Sequence, residues 1–193
     1  MNTKDSLRER IYSKRKNLSE KERLDSEDSL LSVWDSVKDS YKANKIALYW
    51  SVNGEIPTNS LISCFLKNGS ECFLPVISDD KEDKLLEFSL YEEENSLIKN
   101  RFGIPEPSKS KFVDLTDIDI VFLPCVCFDS RGNRIGMGSG FYDRTLSKLP
   151  DKRNNQLIIL AYDFQEVESC LPEMHDVRAN ACLTPTNFFK FKD

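Results

Sequence analysis

Apolar residues recur along the chain with two periods, and each change of period marks an element. Over residues 3–18 the spacing is helical: Leu7, Ile11 and Leu18 form one stripe, and Lys4, Arg8 and Arg15 form a basic stripe beside it. This predicts an amphipathic helix that docks its apolar stripe on the core and leaves the basic stripe at the edge of the contact. Ser19 and Glu22 have capping-box spacing and open a second helix, with Leu24, Leu31 and Trp34 on one face and Leu30 and Val37 beside them. Residues 45–50 (KIALYW) read as a strand. It runs into a polar loop, 51–55, after which Thr58 stands where it can cap a helix carrying Leu61, Ile62, Phe65 and Leu66.

Strands are predicted at residues 71–76 and 85–91, with a charged turn at 78–84 between them. A short helix is predicted at 92–99, then a connector at 102–107 stiffened by Pro105 and Pro107, then a linker at 108–113. Residues 118–123 form a β-branched and aromatic run stopped by Pro124, the pattern of a buried strand. A turn at 129–133 and three alternate glycines, Gly136, Gly138 and Gly140, follow. After a polar connection at 149–155 come a buried strand at 156–162, a short helix at 165–171, an acidic loop at 173–176 and a last strand at 177–183, ended by Thr184 and Pro185. Strands alternating with helices predict an α/β fold: a three-layer αβα sandwich with a mostly parallel sheet, as one domain over residues 1–193.

Composition narrows the class. A chain of 193 residues suits one domain with a sizeable core. With 31% charged and 39% hydrophobic residues it is an ordinary soluble protein. No apolar run is long enough to span a bilayer, and the charged N-terminus lacks the apolar segment of a secretory signal, so a cytoplasmic location away from membranes is expected. The six cysteines form no C-x-x-C and are expected as reduced thiols. Cys125 and Cys127, two apart, would share one face of an extended segment, and are read as small packing residues in preference to a redox or metal pair. A single histidine argues against structural zinc, and a net charge of −5 against nucleic-acid binding, while anionic small ligands stay possible at locally focused cations.

The stretch 117–146 holds the densest candidate chemistry. Alternate glycines let a backbone take positive φ or come close to a ligand, and successive free N–H groups can cradle an anion. Arg134 and Arg144 flank the loop and could pair with phosphate oxygens, and Asp143 is a candidate Mg²⁺ ligand. The spacing G-x-G-x-G is neither the dinucleotide fingerprint nor a P-loop. Glycine-rich turns also occur without ligands, so the glycines alone leave both readings open. Trp50 and Glu55 follow a strand, where ligands gather in open α/β sheets. Trp50 offers a stacking surface and Glu55 an acceptor for an amino-pyrimidine ring, although by themselves they equally suit a core tryptophan and a surface glutamate.

The run Phe128-Asp129, Gly132, Arg134-Ile135-Gly136, Gly138, Gly140-Phe141-Tyr142-Asp143-Arg144 resembles the signature of the 5-formyltetrahydrofolate cyclo-ligase (methenyltetrahydrofolate synthetase) family. Lys4-x-x-Leu7-Arg8, Gly54-Glu55-x-x-Thr58, the 103–107 segment and the His175-Asp176 region are similar to further segments of that family, so the likeness covers Lys4 to Thr184. Pro57, where acidic residues are frequent, and Cys125 and Cys127, where glycine and alanine are usual, depart from it.

The resemblance implies the same α/β fold and an ATP- and Mg²⁺-dependent closure of 5-formyltetrahydrofolate to 5,10-methenyltetrahydrofolate, releasing ADP and phosphate. It implies nucleotide binding by Lys4, Arg8, Arg134, Ile135, Gly136, Met137, Gly138, Ser139, Gly140, Phe141 and Tyr142, and folate binding by Trp50, Glu55, Gly138, Phe141 and Tyr142. Arg134 and Arg144 would be catalytic, with the metal on Asp143 and Asp176, and Arg15 would matter less than Lys4 and Arg8. A cytoplasmic monomer is expected, with no nucleic-acid or membrane partner. Two other readings of the residues remain: a non-catalytic folate- or nucleotide-binding protein, and another small-molecule phosphoryl-transfer enzyme.

Overall fold

The structure is a computed structural model that describes residues 3–78, 84–92, 97–108, 111–150 and 153–192. Its helices are α1 (Lys4–Lys16), α2 (Glu20–Val37), α3 (Asn59–Lys67) and α4 (Phe141–Leu146). Its strands are β1 (Lys45–Ala47), β2 (Glu71–Ile77), β3 (Leu86–Tyr91), β4 (Leu97–Lys99), β5 (Pro105–Pro107), β6 (Phe112–Val113) and β7 (Ile120–Pro124). They continue with β8 (Cys127–Asp129), β9 (Arg134–Ile135), β10 (Gln156–Leu160), β11 (Glu166–Val167), β12 (Ala181–Leu183) and β13 (Phe188–Lys190). The predicted turn at 78–84 falls almost wholly outside the described residues.

Eight strands form the main sheet in the order β13-β12-β10-β7-β1-β2-β3-β6. From β12 to β2 the neighbours are parallel, and β13, β3 and β6 add antiparallel edges. The period of two sorts the core. Ile120, Phe122, Ile158 and Leu160 face Leu30 and Trp34 of α2 and Leu61, Ile62 and Phe65 of α3. Val121, Leu123, Leu157 and Ile159 point to the opposite side, where Leu146 of α4 and Phe128 cover them. Strands buried on both faces read as continuous apolar runs, as these do.

Both N-terminal helices begin at capping boxes, Thr3 with Ser6 and Ser19 with Glu22. α2 docks through Glu27, Leu30 and Trp34, at i, i+3 and i+7, which turns the expected face and leaves Leu24 53% exposed. Glu27 is buried because its carboxylate accepts the Ser60 N–H at 2.7 Å and so caps α3 from another helix. Thr58 occupies the N-cap position of α3 but gives its hydroxyl to the Tyr49 carbonyl at 2.6 Å, correcting the expected cap.

Three further expectations are corrected. The end of the expected helix at 92–99 is a strand, β4, paired antiparallel with β5 in a two-stranded ribbon that tolerates the missing N–H groups of Pro105 and Pro107. The Asn100 side chain closes its turn by accepting from Phe102 N at 2.8 Å and Ile104 N at 3.1 Å. The expected linker at 108–113 ends in β6. The expected helix at 165–171 is a 3₁₀ turn and β11, because the buried Gln165 amide donates to the carbonyls of Cys125 (2.9 Å) and Val126 (2.8 Å) and accepts Tyr162 N (2.9 Å). Beyond the last expected strand, β13 adds an edge.

α1 does not lie on the main sheet. Leu7 and Ile11 pack with Val126, Cys127, Ile135 and Cys170 over the small sheet β11-β8-β9. The chain bends at Val126, so Cys125 joins the cluster under the main sheet while Cys127 joins that of α1, and the two share no common face. All six cysteines are free. Among the described residues no helix is long and apolar enough to cross a membrane.

Candidate functional site

The parallel strands β1, β7 and β10 end on the same side, and three loops leave from there. The loop after β1 makes a tight turn in which Glu55 N bonds to Val52 O at 2.9 Å. Asn53 and Gly54 both have positive φ, 52° and 73°, as an Asn-Gly turn of this kind requires. A Cβ on Gly54 would stand 2.9 Å from the Arg23 guanidinium, so glycine answers both backbone and space. The Glu55 side chain folds onto its own turn, with Oε2 accepting Val52 N at 3.1 Å. Burial raises the Glu55 pKa, and the Val52 N–H and the Arg15 charge only partly offset it. Trp50 is half-buried, its ring 6.2 Å from that of Tyr91.

The second loop begins after β7 and forms the β8–β9 hairpin. Asp129 organises it from within. Its buried carboxylate accepts Arg131 N, Asn133 N, the Asn133 amide and Cys170 N, all at 3.0–3.1 Å. Burial opposes its ionisation, but these donors outweigh burial and hold it below the usual carboxylate range. Beyond β9 the glycine loop turns into α4. Gly138 and Gly140 are left-handed, at φ 96° and 73°. Gly136 has neither positive φ nor any described protein atom within 4 Å of where a Cβ would stand, so neither backbone conformation nor packing within the chain demands glycine there. The amides of Met137, Gly138 and Ser139 bond to no described residue.

α1 brings its cations here. Arg8 Nε donates to the Gly136 carbonyl at 3.0 Å, and the same guanidinium lies 3.7 Å from the place of a Gly138 Cβ. Lys4 Nζ sits 3.0 Å from both Asp176 Oδ2 and Glu173 Oε1. Partial burial works against the Lys4 charge, but these carboxylates outweigh it and raise its pKa. Asp176, where burial is likewise outweighed by Glu173 N–H and Lys4, is lowered. Arg134, almost fully buried, donates to Val177 O at 2.7 Å and to Asp143 Oδ1 at 2.9 Å. Arg144 is exposed and braces the loop through the Ser139 carbonyl at 2.9 Å. Tyr142 turns its hydroxyl inward, buried and without a partner among the described residues. Burial raises its pKa, with Glu55 adding to the shift and Arg134 opposing it.

The structure therefore gathers Lys4, Arg8, Arg134, Asp143 and Asp176 around the glycine loop. The Phe141 ring meets Phe102 edge-on at 6.1 Å. The Ile135 side chain belongs to the α1 core, which leaves only its main chain near the loop. Both expected metal carboxylates are paired with cations, and no cluster of three or more His, Cys, Asp or Glu suited to a metal occurs among the described residues. Arg15 is the residue the sequence reading undervalued. Its side chain is 0% exposed and reaches the loops after both β1 and β7. The signal in the sequence is slight, since Arg15 belongs to the basic stripe and only borders the apolar stripe of Leu7, Ile11 and Leu18.

Residues 1–185 match the model of the 5-formyltetrahydrofolate cyclo-ligase family. A 5-formyltetrahydrofolate cyclo-ligase of Haemophilus influenzae is 36% identical over 92% of this chain and 96% of that protein. That of Escherichia coli K12 is 34% identical over 77% of this chain and 82% of its own length. Among solved structures, the 5,10-methenyltetrahydrofolate synthetase of Aquifex aeolicus superposes with a TM-score of 0.84 at 30% identity, covering 98% of this chain and 93% of that one.

Proposed function

The chain belongs to the 5-formyltetrahydrofolate cyclo-ligase family, and from that premise we propose how its residues turn 5-formyltetrahydrofolate into 5,10-methenyltetrahydrofolate at the expense of ATP, with Mg²⁺. When bound, ATP supplies the phosphoryl group that makes the formyl oxygen a leaving group, and Mg²⁺ offsets the phosphate charge.

The residues suit these groups. The free amides of Met137, Gly138 and Ser139, with the Arg8 guanidinium beside them, form an anion cradle. Asp143 gives one oxygen to Arg134 and keeps Oδ2 free of hydrogen bonds among the described residues, a hard oxygen of the kind Mg²⁺ takes. Asp176 is the lesser candidate, because Lys4 already holds it. Arg134 orients Asp143, and Arg144 keeps the loop in shape while its second amino group stays available to a phosphate oxygen.

Glu55 Oε1 and the Tyr142 hydroxyl, which has no partner among the described residues, offer an acceptor and a donor to a pterin, with Trp50 and Phe141 as aromatic walls. The whole chain would act as one domain, in keeping with the family match over residues 1–185, and as a cytoplasmic monomer. The observation that carries this reading is Arg8 on the Gly136 carbonyl at 3.0 Å, which joins the basic helix to the glycine loop. The test is the rise in near-ultraviolet absorbance as the methenyl product forms. It should require 5-formyltetrahydrofolate, ATP and Mg²⁺ together. Binding of both ligands without product, or product formed without ATP, would overturn it.

A further inference from the structure

Arg15 is a charged side chain with 0% exposure. Charges are almost never so buried unless paired, because taking an ion out of water is unfavourable. Arg15 Nη1 donates to Cys125 O at 3.3 Å, and Nη2 donates to Asn53 O at 2.8 Å and Val52 O at 3.4 Å. These carbonyls leave from the ends of the adjacent strands β7 and β1, so one guanidinium ties two ligand-side loops together. Carbonyls need only N–H donors, which a neutral side chain could supply. A full positive charge there calls for an anion, and the carboxylate within reach is Glu55, with Oε1 3.9 Å from Nη2.

The distance is informative. A tight, two-pronged pair would occupy both Glu55 oxygens. At 3.9 Å, Oε1 feels the charge but stays free as an acceptor, while Oε2 takes Val52 N. Around this region also stand Tyr49, Tyr142, Tyr162 and Cys125, whose protons burial holds in place, and the charged Arg23, Glu27 and Arg134; of the charges, Arg15 is the one that counters the burial of Glu55. Arg23 locks the arrangement by donating to the Arg15 carbonyl at 2.8 Å.

We infer that Arg15 is the positioning residue for folate recognition: it holds the Glu55 carboxylate as an ionised, open acceptor for the amino-pyrimidine ring, an inference that rests on the reading of Glu55 given above. Arg15 touches no substrate and acts by placing Glu55 and the loop that carries it.

The test compares Arg15→Met, Arg15→Lys, Glu55→Gln and the double variant Arg15→Met/Glu55→Gln as full chains. Steady-state kinetics in both substrates are followed across the acidic and neutral range, beside thermal melts. Arg15→Met should raise the folate KM about ten-fold and leave the ATP KM unchanged. Its acidic limb in folate kcat/KM should move to higher pH by about one unit, because the charge favouring the carboxylate is gone. Arg15→Lys keeps the charge but loses the fork, so its limb should stay near wild type while its folate KM rises. Glu55→Gln should lack the limb, and adding Arg15→Met to it should change the folate KM little further.

A melting loss with an unmoved limb, or equal rises in both KM values, would overturn the inference. Should Arg15→Met not fold, a wild-type folate KM in Arg15→Lys would overturn it as well. A wild-type folate KM in Glu55→Gln would instead remove the Glu55 reading itself, which separates the two failures.

Discussion

Lys4 Nζ lies 3.0 Å from Asp176 Oδ2, closing the first helix onto a turn 172 residues further along the chain. With Arg8 on Gly136, this clasp sets α1 against the glycine loop. Lys4→Ala or Arg8→Ala should weaken ATP binding by about 1–3 kcal/mol, with a smaller effect on 5-formyltetrahydrofolate. Titration calorimetry with each ligand checks this, and equal losses for both would contradict it. The clasp is strongest between the two pKa values. It weakens as pH falls through the lowered Asp176 value, and again as pH rises through the raised Lys4 value.

For Glu55, the sign of the shift separates binding from stability. Glu55→Gln should lower folate affinity about ten-fold or more while ATP affinity stays near normal. The raised Glu55 pKa means that wild type bears a buried charge once pH passes that value. Wild-type stability from this group is thus greatest below the unfolded carboxylate pKa and is lost as pH rises through the folded one. The melting temperature of Glu55→Gln minus that of wild type should grow with pH. A difference that is flat or falls with pH would contradict this account.

Gly138 and Asp143 should fail in different ways. At φ 96° an alanine is strained at position 138, although its Cβ would make only ordinary contact with Arg8. Gly138→Ala should lose turnover, keep most of its melting temperature, and gain nothing from added Mg²⁺. Asp143→Asn removes a carboxylate charge and should lose turnover more than ATP affinity, with partial rescue at high Mg²⁺. Kinetics across a Mg²⁺ titration distinguish them, and full activity of Asp143→Asn at low Mg²⁺ would count against the metal assignment.

Asp129 predicts a stability effect with no ligand involved. Asp129→Ala strands donors from Arg131, Asn133 and Cys170 in a buried site and should cost about 3 kcal/mol or more in urea unfolding. Its lowered pKa makes the wild-type contribution present above the unfolded carboxylate value and lost as pH falls through the folded one. Wild type should therefore lose more stability on acidification than the variant does.

What the sequence made legible was local or periodic. The buried apolar runs at residues 118–123 and 156–162, the Ser19–Glu22 capping box and the docking stripe of Leu7 and Ile11 all depend on near neighbours, and all stand in the structure. The misses came from partners distant in sequence. Thr58 has a capping residue's identity, yet Tyr49 takes its hydroxyl and Glu27 supplies the cap. Gln165 sits in a helix-compatible run, but its buried amide must satisfy the carbonyls of Cys125 and Val126. Arg15 reads as one more cation of the basic stripe, and only the loops at Val52 and Cys125 show why a charge is buried there.

The docking of α1 on the β11-β8-β9 sheet has a consequence for how the protein comes into being. α1 finds its apolar partners far along the chain at Val126, Ile135 and Cys170, so it cannot settle until those segments are in place. Such long-range closure is slow, and it leaves α1 held by few contacts compared with the central strands. Its amides should exchange with solvent deuterium ahead of those in β7 and β10, and nucleotide, by engaging Lys4 and Arg8, should slow that exchange. α1 is in this sense the element that closes last, and slower exchange with nucleotide present would mark it as part of the nucleotide site.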